Sequence, residues 1–405
     1  MNIAVIGAGA AGFFAAINCA AKNPRHAVTI FEKSNKVLSK VRVSGGGRCN
    51  VTHACFDNKL LTSFYPRGER ELRNAFARFS TNDTVSWFES CGVKLKTEPD
   101  GRMFPITDSS ETIIRCLVNE AAKFNVNVKM NCTLQRILKN EDEKFMLQFQ
   151  DGEELSFDRV IVTTGGSPNE KSYDWILALG HKIVSPVPSL FTFNIPASPL
   201  KGLEGISSPS ATVKLEGSRL ESTGPLLITH WGLSGPAVLR LSAFAARWLF
   251  DHNYAGVCFI NWIPDSDEKK IREELYSLKE DFPGKKITHL PFHALPSRLW
   301  QRLCILSGID DDEKCGEVSK SKLNKLVQHC CRQPLQLKGK TTFKEEFVTC
   351  GGVSLKEVDM QTMESKKVKG IYFAGEVLDI DGVTGGFNFQ SAWTTGFLAG
   401  VNASL

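Results

Sequence analysis

The chain opens on a change of hydrophobic period. Residues 3–6 form a continuous apolar run, as expected of a strand buried on both faces. Gly7-x-Gly9-x-x-Gly12 follows at once, and 13–21 continues in good helix formers. Residues 27–31 make a second strand that ends on an acid, Glu32. Strand, glycine turn, helix, strand and acid in this order predict a dinucleotide-binding unit. The three glycines serve different ends. Gly7 permits the tight turn, Gly9 leaves room for a pyrophosphate, and Gly12 lets the helix pack on the strand. The helix N-terminus offers N–H groups to phosphates. Glu32 can accept hydrogen bonds from a ribose diol.

Further along, Ser44-Gly-Gly-Gly-Arg-Cys-Asn50 cannot hold regular structure cheaply. It is expected to be a loop against the cofactor, with Arg48 a fixed cation and Asn50 a polar anchor. Helical spacing predicts helices over 65–79, 82–91 (stopped by Gly92) and 107–124. Strands are predicted at 93–96 and 102–104 around Pro99-Asp100-Gly101, at 126–130 and 134–138, and at 145–149 and 154–157 around Asp151-Gly152. The β-branched run from Arg159 ends in Thr163-Thr164-Gly165-Gly166, where backbone again approaches a ligand or crosses over.

From Ile183 prolines punctuate short extended pieces at 190–195 and 211–215, which predicts a β-rich insertion. A helix is expected over 237–250 and a strand over 256–263. Residues 265–335 read as mostly helical, at 267–280, 297–306 and 320–332. The tail recovers the density of the start: Phe347 to Val353, Gly370 to Glu376, then Thr384-Gly-Gly-Phe-Asn-Phe-Gln390 running into a small-residue helix that reaches Ala399. The two ends carry the same chemistry and are expected to form one discontinuous α/β domain.

Composition narrows this picture. A chain of 405 residues suggests two or three units. The net charge of +5 is spread out, so no nucleic-acid partner is expected. No apolar run is long enough for a membrane span, and the start lacks the basic region of a signal peptide, so the expected location is cytoplasmic. Twelve cysteines include no C-x-x-C and only one close pair, Cys330-Cys331, so reduced structural thiols are expected. Cys49, Cys91 and Cys350, beside glycines, stay open as reactive thiols. The eight histidines show no ligand spacing, and no metal is expected.

The late Gly375-Glu376 pair resembles the ribityl-binding Gly–acid pair of flavoproteins in the glutathione-reductase-like, two-dinucleotide-domain superfamily. The chain is more closely similar to a bacterial family within it, the BaiN-like or aminoacetone-oxidase family of NAD(P)/FAD-dependent oxidoreductases. GAGAAG at Gly7, SGGGRCN at Ser44, GRMFP at Gly101, TTGG at Thr163, THWGLSGP at Thr229, TCGGV at Thr349 and YFAGEVLDIDGVTGGFNFQSAW at Tyr372 carry the resemblance in order along the chain. It implies an α/β fold: a Rossmann-like FAD-binding domain in two parts, 1–186 and 336–405, an inserted β-rich substrate domain, 187–264, and a small helical domain, 265–335. It implies non-covalent FAD, with Gly7, Gly9, Ala10, Ala11 and Gly12 at the pyrophosphate, Glu32 at the adenosine ribose, Leu134 at the adenine and Glu376 at the ribityl chain. Gly385, Gly386, Phe387 and Asn388 would bring a helix N-terminus to the flavin and stabilise its anionic reduced form. Lys33, Ser44, Gly45, Gly46, Arg48, Thr164, Gly165 and Gly375 complete the expected cofactor contacts. Arg48, His230 and Trp231 are expected near the isoalloxazine, the first two as catalytic candidates.

The implied activity is hydride transfer between flavin N5 and a small organic substrate, by amine oxidation or reduction of a conjugated C=C. No second Gly-x-Gly-x-x-Gly with helix context occurs, so NAD(P)H is expected at most as a transient donor. A flavin-dependent tRNA-modifying protein and a non-catalytic FAD-binding redox sensor are the rival readings. The sequence does not give the oligomeric state.

Overall fold

The apolar run at the start becomes the centre of a parallel sheet. The computed structural model describes residues 1–140, 142–341 and 348–405. In it, β1 (Asn2–Ile6), β2 (Ala27–Phe31), β3 (Asn127–Lys129), β4 (Arg159–Val162) and β5 (Ile371–Phe373) lie in the order β5-β4-β1-β2-β3. Every neighbouring pair is parallel. β1 is flanked on both edges and buried from Ile3 onward, which is why it reads as a solid apolar run rather than an alternating one.

The first and last helices, α1 (Ala10–Lys22) and α2 (Phe387–Ala403), lie side by side. A Cβ on Gly396 would stand 2.8 Å from the Ala11 carbonyl oxygen, and one on Gly400 would overlap that of Ala15. Small residues are therefore required where the two backbones touch. Beside β2, the antiparallel strands Leu134–Lys139, Phe145–Phe149 and Glu154–Phe157 supply Phe149 and Phe157, whose rings meet Phe31 at 4.8 and 5.6 Å.

The chain divides into two compact units, Met1–Ser189 with Lys344–Leu405, and Leu190–Phe343. The stretch expected as a β-rich domain, from Leu190 onward, and the one expected as a helical domain fall in the second unit and share one core, and the strand Gln333–Lys338 carries that unit past the boundary expected at 336. Leu226, Ile260 and Trp262 are buried in the same cluster as Leu275, Trp300 and Leu326. The strands are Gln333–Lys338, Ala255–Asn261, Ser207–Leu215, Glu221–Ile228, Gly232–Ser234, Thr192–Asn194 and Lys340–Thr341 in spatial order, all antiparallel. The edge strands Gln333–Lys338 and Lys340–Thr341 are separated only by Gly339, so the sheet curls on itself.

Several elements differ from the periodic reading. Gln333–Lys338 is a strand at the end of the stretch read as helical. The helix expected over 237–250 breaks at Ala245 into Pro236–Phe244 and Ala246–Asp251. The helix expected over 65–79 shortens to Glu69–Phe76 behind Gly68, whose φ of +88° suits a glycine. Phe347 lies outside the described residues. No helix among the described residues is long and apolar enough to cross a membrane. None of the twelve cysteines is joined in a disulfide, and the candidates Cys49 and Cys350 are sealed in the interior. Burial pushes the Cys49 thiol up to about 12, so it is not a thiolate at neutral pH.

Candidate functional site

The opening turn gives its three glycines different surroundings. Gly7 has φ +109°, and its N–H donates to the Phe31 carbonyl at 2.7 Å. A Cβ there would stand 2.5 Å from the Thr163 carbonyl oxygen, and one on Gly12 would overlap that of Gly7. A Cβ on Gly9 would meet nothing within 4 Å. Gly7 and Gly12 are thus closed in by protein, while Gly9 faces open space. Gly9 also caps α1 without any side-chain hydrogen bond, so the first N–H groups of the helix have no side-chain acceptor there.

Glu32 is aimed at this turn. Its Oε2 accepts from the Ala8 N–H at 2.9 Å, and its Oε1 accepts from the N–H and hydroxyl of Ser34, both at 2.9 Å. A carboxylate has about four lone-pair positions, so these three bonds leave capacity for another donor. The Glu32 carbonyl accepts from Cys132 N–H at 2.8 Å, which ties the segment before Leu134 to the same corner. Leu134 itself pairs with Phe149 and is half-buried, and Lys33 is exposed.

The tail reaches this corner too. Gly375, at φ +76°, donates its N–H to the Thr395 hydroxyl at 2.9 Å, and a Cβ on it would stand 2.8 Å from that of Ala11. The Glu376 carboxylate accepts from Thr349 N–H at 2.8 Å and pairs with Lys40 Nζ at 2.6 Å. A Cβ on Gly166 would stand 2.7 Å from Glu376 Oε1, while Gly165, at φ +73°, faces open space beside the exposed Thr164. The Thr349 hydroxyl is buried without a hydrogen-bond partner.

The triple-glycine segment breaks regular structure as expected. The helix that starts at Ser39 ends before it at a kink: Ser44 is extended, and Gly45, Gly46 and Gly47 take φ of +58°, +68° and +85°. Arg48 follows this turn, with about a third of its side chain in solvent. Its guanidinium lies 4.0 Å over the Phe104 ring, with Nη1 2.6 Å from Glu98 and 3.5 Å from Asp108. The hydrogen bond to Glu98 holds the guanidinium pKa above its usual value. Arg48 is therefore a charged, ion-paired and stacked side chain.

Asn50 is 8% exposed, and its Oδ1 has no hydrogen-bond partner. Buried polar atoms are normally paired, so such an orphan marks a place where a ligand or water completes the structure. It lies against the start of α2. Gly386 caps that helix at φ +96°, and a Cβ on it would stand 2.6 Å from the Thr52 carbonyl and 2.9 Å from Asn50 Oδ1. Asn388 holds the preceding loop, accepting from Gly382 N–H at 2.8 Å and donating to its carbonyl at 2.9 Å.

His53 is the residue that sequence reasoning missed. Its ring stacks on Phe387 at 4.7 Å, Phe387 stacks on Phe64 at 4.3 Å, and Tyr65 donates to the Phe387 carbonyl at 2.6 Å. Burial lowers the His53 pKa against the opposing pull of Asp100. Nε2 lies 3.1 Å from the Asp100 carbonyl, while Nδ1 is buried without a partner. A neutral ring with the proton on Nε2 leaves Nδ1 as an acceptor. No local motif signals this, because Phe387 is supplied by the other end of the chain.

Below the same loop lies an ion pair. Asp381 is fully buried and accepts a two-pronged contact from Arg67, and the Ser189 hydroxyl donates to its Oδ2 at 2.7 Å. His230 and Trp231, by contrast, belong to the second unit. They form the exposed turn between Glu221–Ile228 and Gly232–Ser234, with Trp231 59% exposed.

Comparison with known proteins adds a family and relatives. The family described as HI0933-like protein Rossmann domain matches residues 1–402. The 3-dehydro-bile acid delta(4,6)-reductase of Clostridium scindens is 27% identical over 98% of each chain. The ribosomal RNA dihydrouridine synthase of Haemophilus influenzae is 30% identical over 99% of this chain and 98% of that one. Among solved structures, the 3-ketosteroid-delta4-(5alpha)-dehydrogenase of Rhodococcus jostii RHA1 aligns with a TM-score of 0.53, covering 100% of this chain and 96% of that one. At 15% identity this is a likeness of fold.

Proposed function

The chain belongs to the HI0933-like Rossmann-domain family, and we propose that it is an FAD-dependent reductase of carbon–carbon double bonds conjugated to a carbonyl. One observation carries the reading: near-full-length similarity to both a bile acid reductase and a dihydrouridine synthase. The shared chemistry is addition of two hydrogens across a ring C=C polarised by a carbonyl, as in an enone or in the uracil C5=C6 bond. That favours double-bond reduction over amine oxidation.

The residues fit FAD. Gly9 is open where Gly7 and Gly12 are closed, α1 begins without a side-chain cap, and the buried Asn50 Oδ1 lacks a partner at the start of α2. In this reading Gly7, Gly9, Ala10, Ala11 and Gly12 hold the pyrophosphate through helix N–H groups, and Glu32 takes the adenosine ribose with its remaining lone pairs. Gly375 and Glu376 serve the ribityl chain, with Lys40 and Thr349 fixing the carboxylate. Gly385 and Gly386 present the α2 N-terminus, whose positive end stabilises negative charge. Asn50 and His53 offer polar atoms at the same wall. Reduced FAD, when bound, supplies the hydride equivalent for the β-carbon of the conjugated system. Arg48, clamped by Glu98 and Asp108, acts by positioning the Ser44–Gly47 backbone; its contact at 3.4 Å with the Gly45 carbonyl supports this. NAD(P)H is the proposed transient electron donor, since reduction needs one.

Flavin content and its turnover decide the matter. Purified protein should absorb near 450 nm, roughly where oxidised flavins do. Anaerobic NADH or NADPH should bleach it, and reoxidation should be driven by a Δ4-3-ketosteroid or by uridine in RNA. Protein that stays colourless after FAD is added would defeat the proposal.

A further inference from the structure

In the second unit, Pro236–Phe244 and Ala246–Asp251 bury Ala237, Val238, Leu241, Ala245 and Leu249. That choice of inner face turns aromatic and cationic side chains outward. Phe244 is 39% and Phe250 46% exposed, and Arg240 is exposed with its guanidinium 5.8 Å over the Phe244 ring. Trp248, half-buried against the core, stacks on the exposed His252 at 3.9 Å. Phe250 meets the half-buried Tyr254 edge-on at 6.3 Å, and Lys340 Nζ lies 4.7 Å from the centre of the Tyr254 ring. Arg247 is carried on the same short helix, and Asp251 is the one acid between Pro236 and Tyr254.

A solvated helix face ordinarily carries charges and few large rings; grouped exposed rings mark an interaction surface. Here the rings alternate with cations, which neither a lipid interior nor an ordinary protein core would match. Phosphates and bases would: cations follow the backbone while flat rings stack on unpaired bases. We propose that this face docks a single-stranded segment of RNA. The proposal rests on the reading that the reduced double bond is that of a uracil in RNA.

The test uses FAD-loaded, full-length protein and a labelled uridine-rich single-stranded RNA of about 20 nucleotides, long enough to cover the site sizes of such surfaces. Fluorescence anisotropy is followed against salt for wild type, for Arg240→Glu with Arg247→Glu, and for Phe244→Ala with Phe250→Ala. FAD content and Tm verify folding, and Arg240→Gln with Arg247→Gln replaces the charge-reversed pair if that pair does not fold. Wild type should bind with a steep salt slope. Loss of the two arginines should weaken binding roughly tenfold or more and flatten the slope by about 0.7 per cation. Loss of the two rings should weaken binding about fivefold or more and leave the slope unchanged. Absence of binding by wild type, wild-type affinity in both variants, or tighter binding to vesicles of anionic phospholipid than to RNA would overturn the proposal. The two readings fail separately. RNA binding lost in the variants of a protein that makes no dihydrouridine defeats the reaction alone. Dihydrouridine formation at wild-type KM in both variants defeats the docking face alone.

Discussion

The Asn50 carboxamide oxygen lies 2.9 Å from where a Cβ on Gly386 would stand, so residues from opposite ends of the chain form one wall at the start of α2. Gly386→Ala introduces that atom at φ +96° and presses it 2.6 Å from the Thr52 carbonyl. Both strain and overlap act, together costing about 1–3 kcal/mol. The variant should fold with a lower Tm and release FAD faster, read as recovery of free-flavin fluorescence. Unchanged FAD retention would separate this wall from the cofactor.

Gly9 and Gly12 should fail in different ways. Gly9 has extended backbone, at φ −88° and ψ −169°, and open space around its Cβ position, so Gly9→Val keeps the apo-protein Tm. It should purify colourless because the new side chain fills the pyrophosphate approach. Gly12→Ala overlaps the Gly7 carbonyl and should lower Tm by several degrees before any cofactor is considered. A yellow, fully loaded Gly9→Val protein would contradict the assignment of this turn.

The Arg67–Asp381 pair secures the loop between Gly375 and Gly386. Burial drives the Asp381 carboxyl up, and the Arg67 guanidinium with the Ser189 hydroxyl opposes it. Arg67→Met strands a buried acid and should cost about 3–5 kcal/mol in urea unfolding. Arg67→Met combined with Asp381→Leu should recover most of that loss, because neither charge is then left unpaired. A double variant as unstable as the single one would show that the loop needs the pair for shape.

Acid should weaken the protein through its buried histidines. Burial holds His53 and His181 below the ordinary value of 6.5; at His181 Glu357 opposes the shift and Lys367 adds to it. The unfolded chain therefore takes up protons at these sites at a pH where the folded chain does not. Their stabilising contribution is full above about pH 6.5 and is lost as pH falls below it. Urea midpoints should be level from about pH 8 to 7 and fall toward pH 5, less steeply in His181→Gln. A midpoint that rises on acidification would reverse the sign.

Much of the first unit was legible because its signals are local. The β1 run, the Gly7–Gly12 turn, β2 and Glu32 need only neighbours in sequence, and the strands Phe145–Phe149 and Glu154–Phe157 follow from their turn residues. The second unit was less so. Pairing of Gln333–Lys338 with Ala255–Asn261 is a long-range choice, and the short alternation of Leu335 and Leu337 after Pro334 does not name its partner strand. The same limit hid the shared core: nothing local tells Leu226 that it will pack in one cluster with Leu326.

The sequence by itself determined the glycine turn and the acid that follows it, because glycines at fixed spacing after an apolar strand admit few backbones. Only the tertiary structure decided what surrounds them. It set Gly375 against Ala11, left Asn50 Oδ1 unpaired beside Gly386, stacked His53 on Phe387, and turned Arg48 onto Phe104 between Glu98 and Asp108. Side-chain chemistry is written residue by residue, but burial, pairing and pKa depend on distances between segments far apart in the chain.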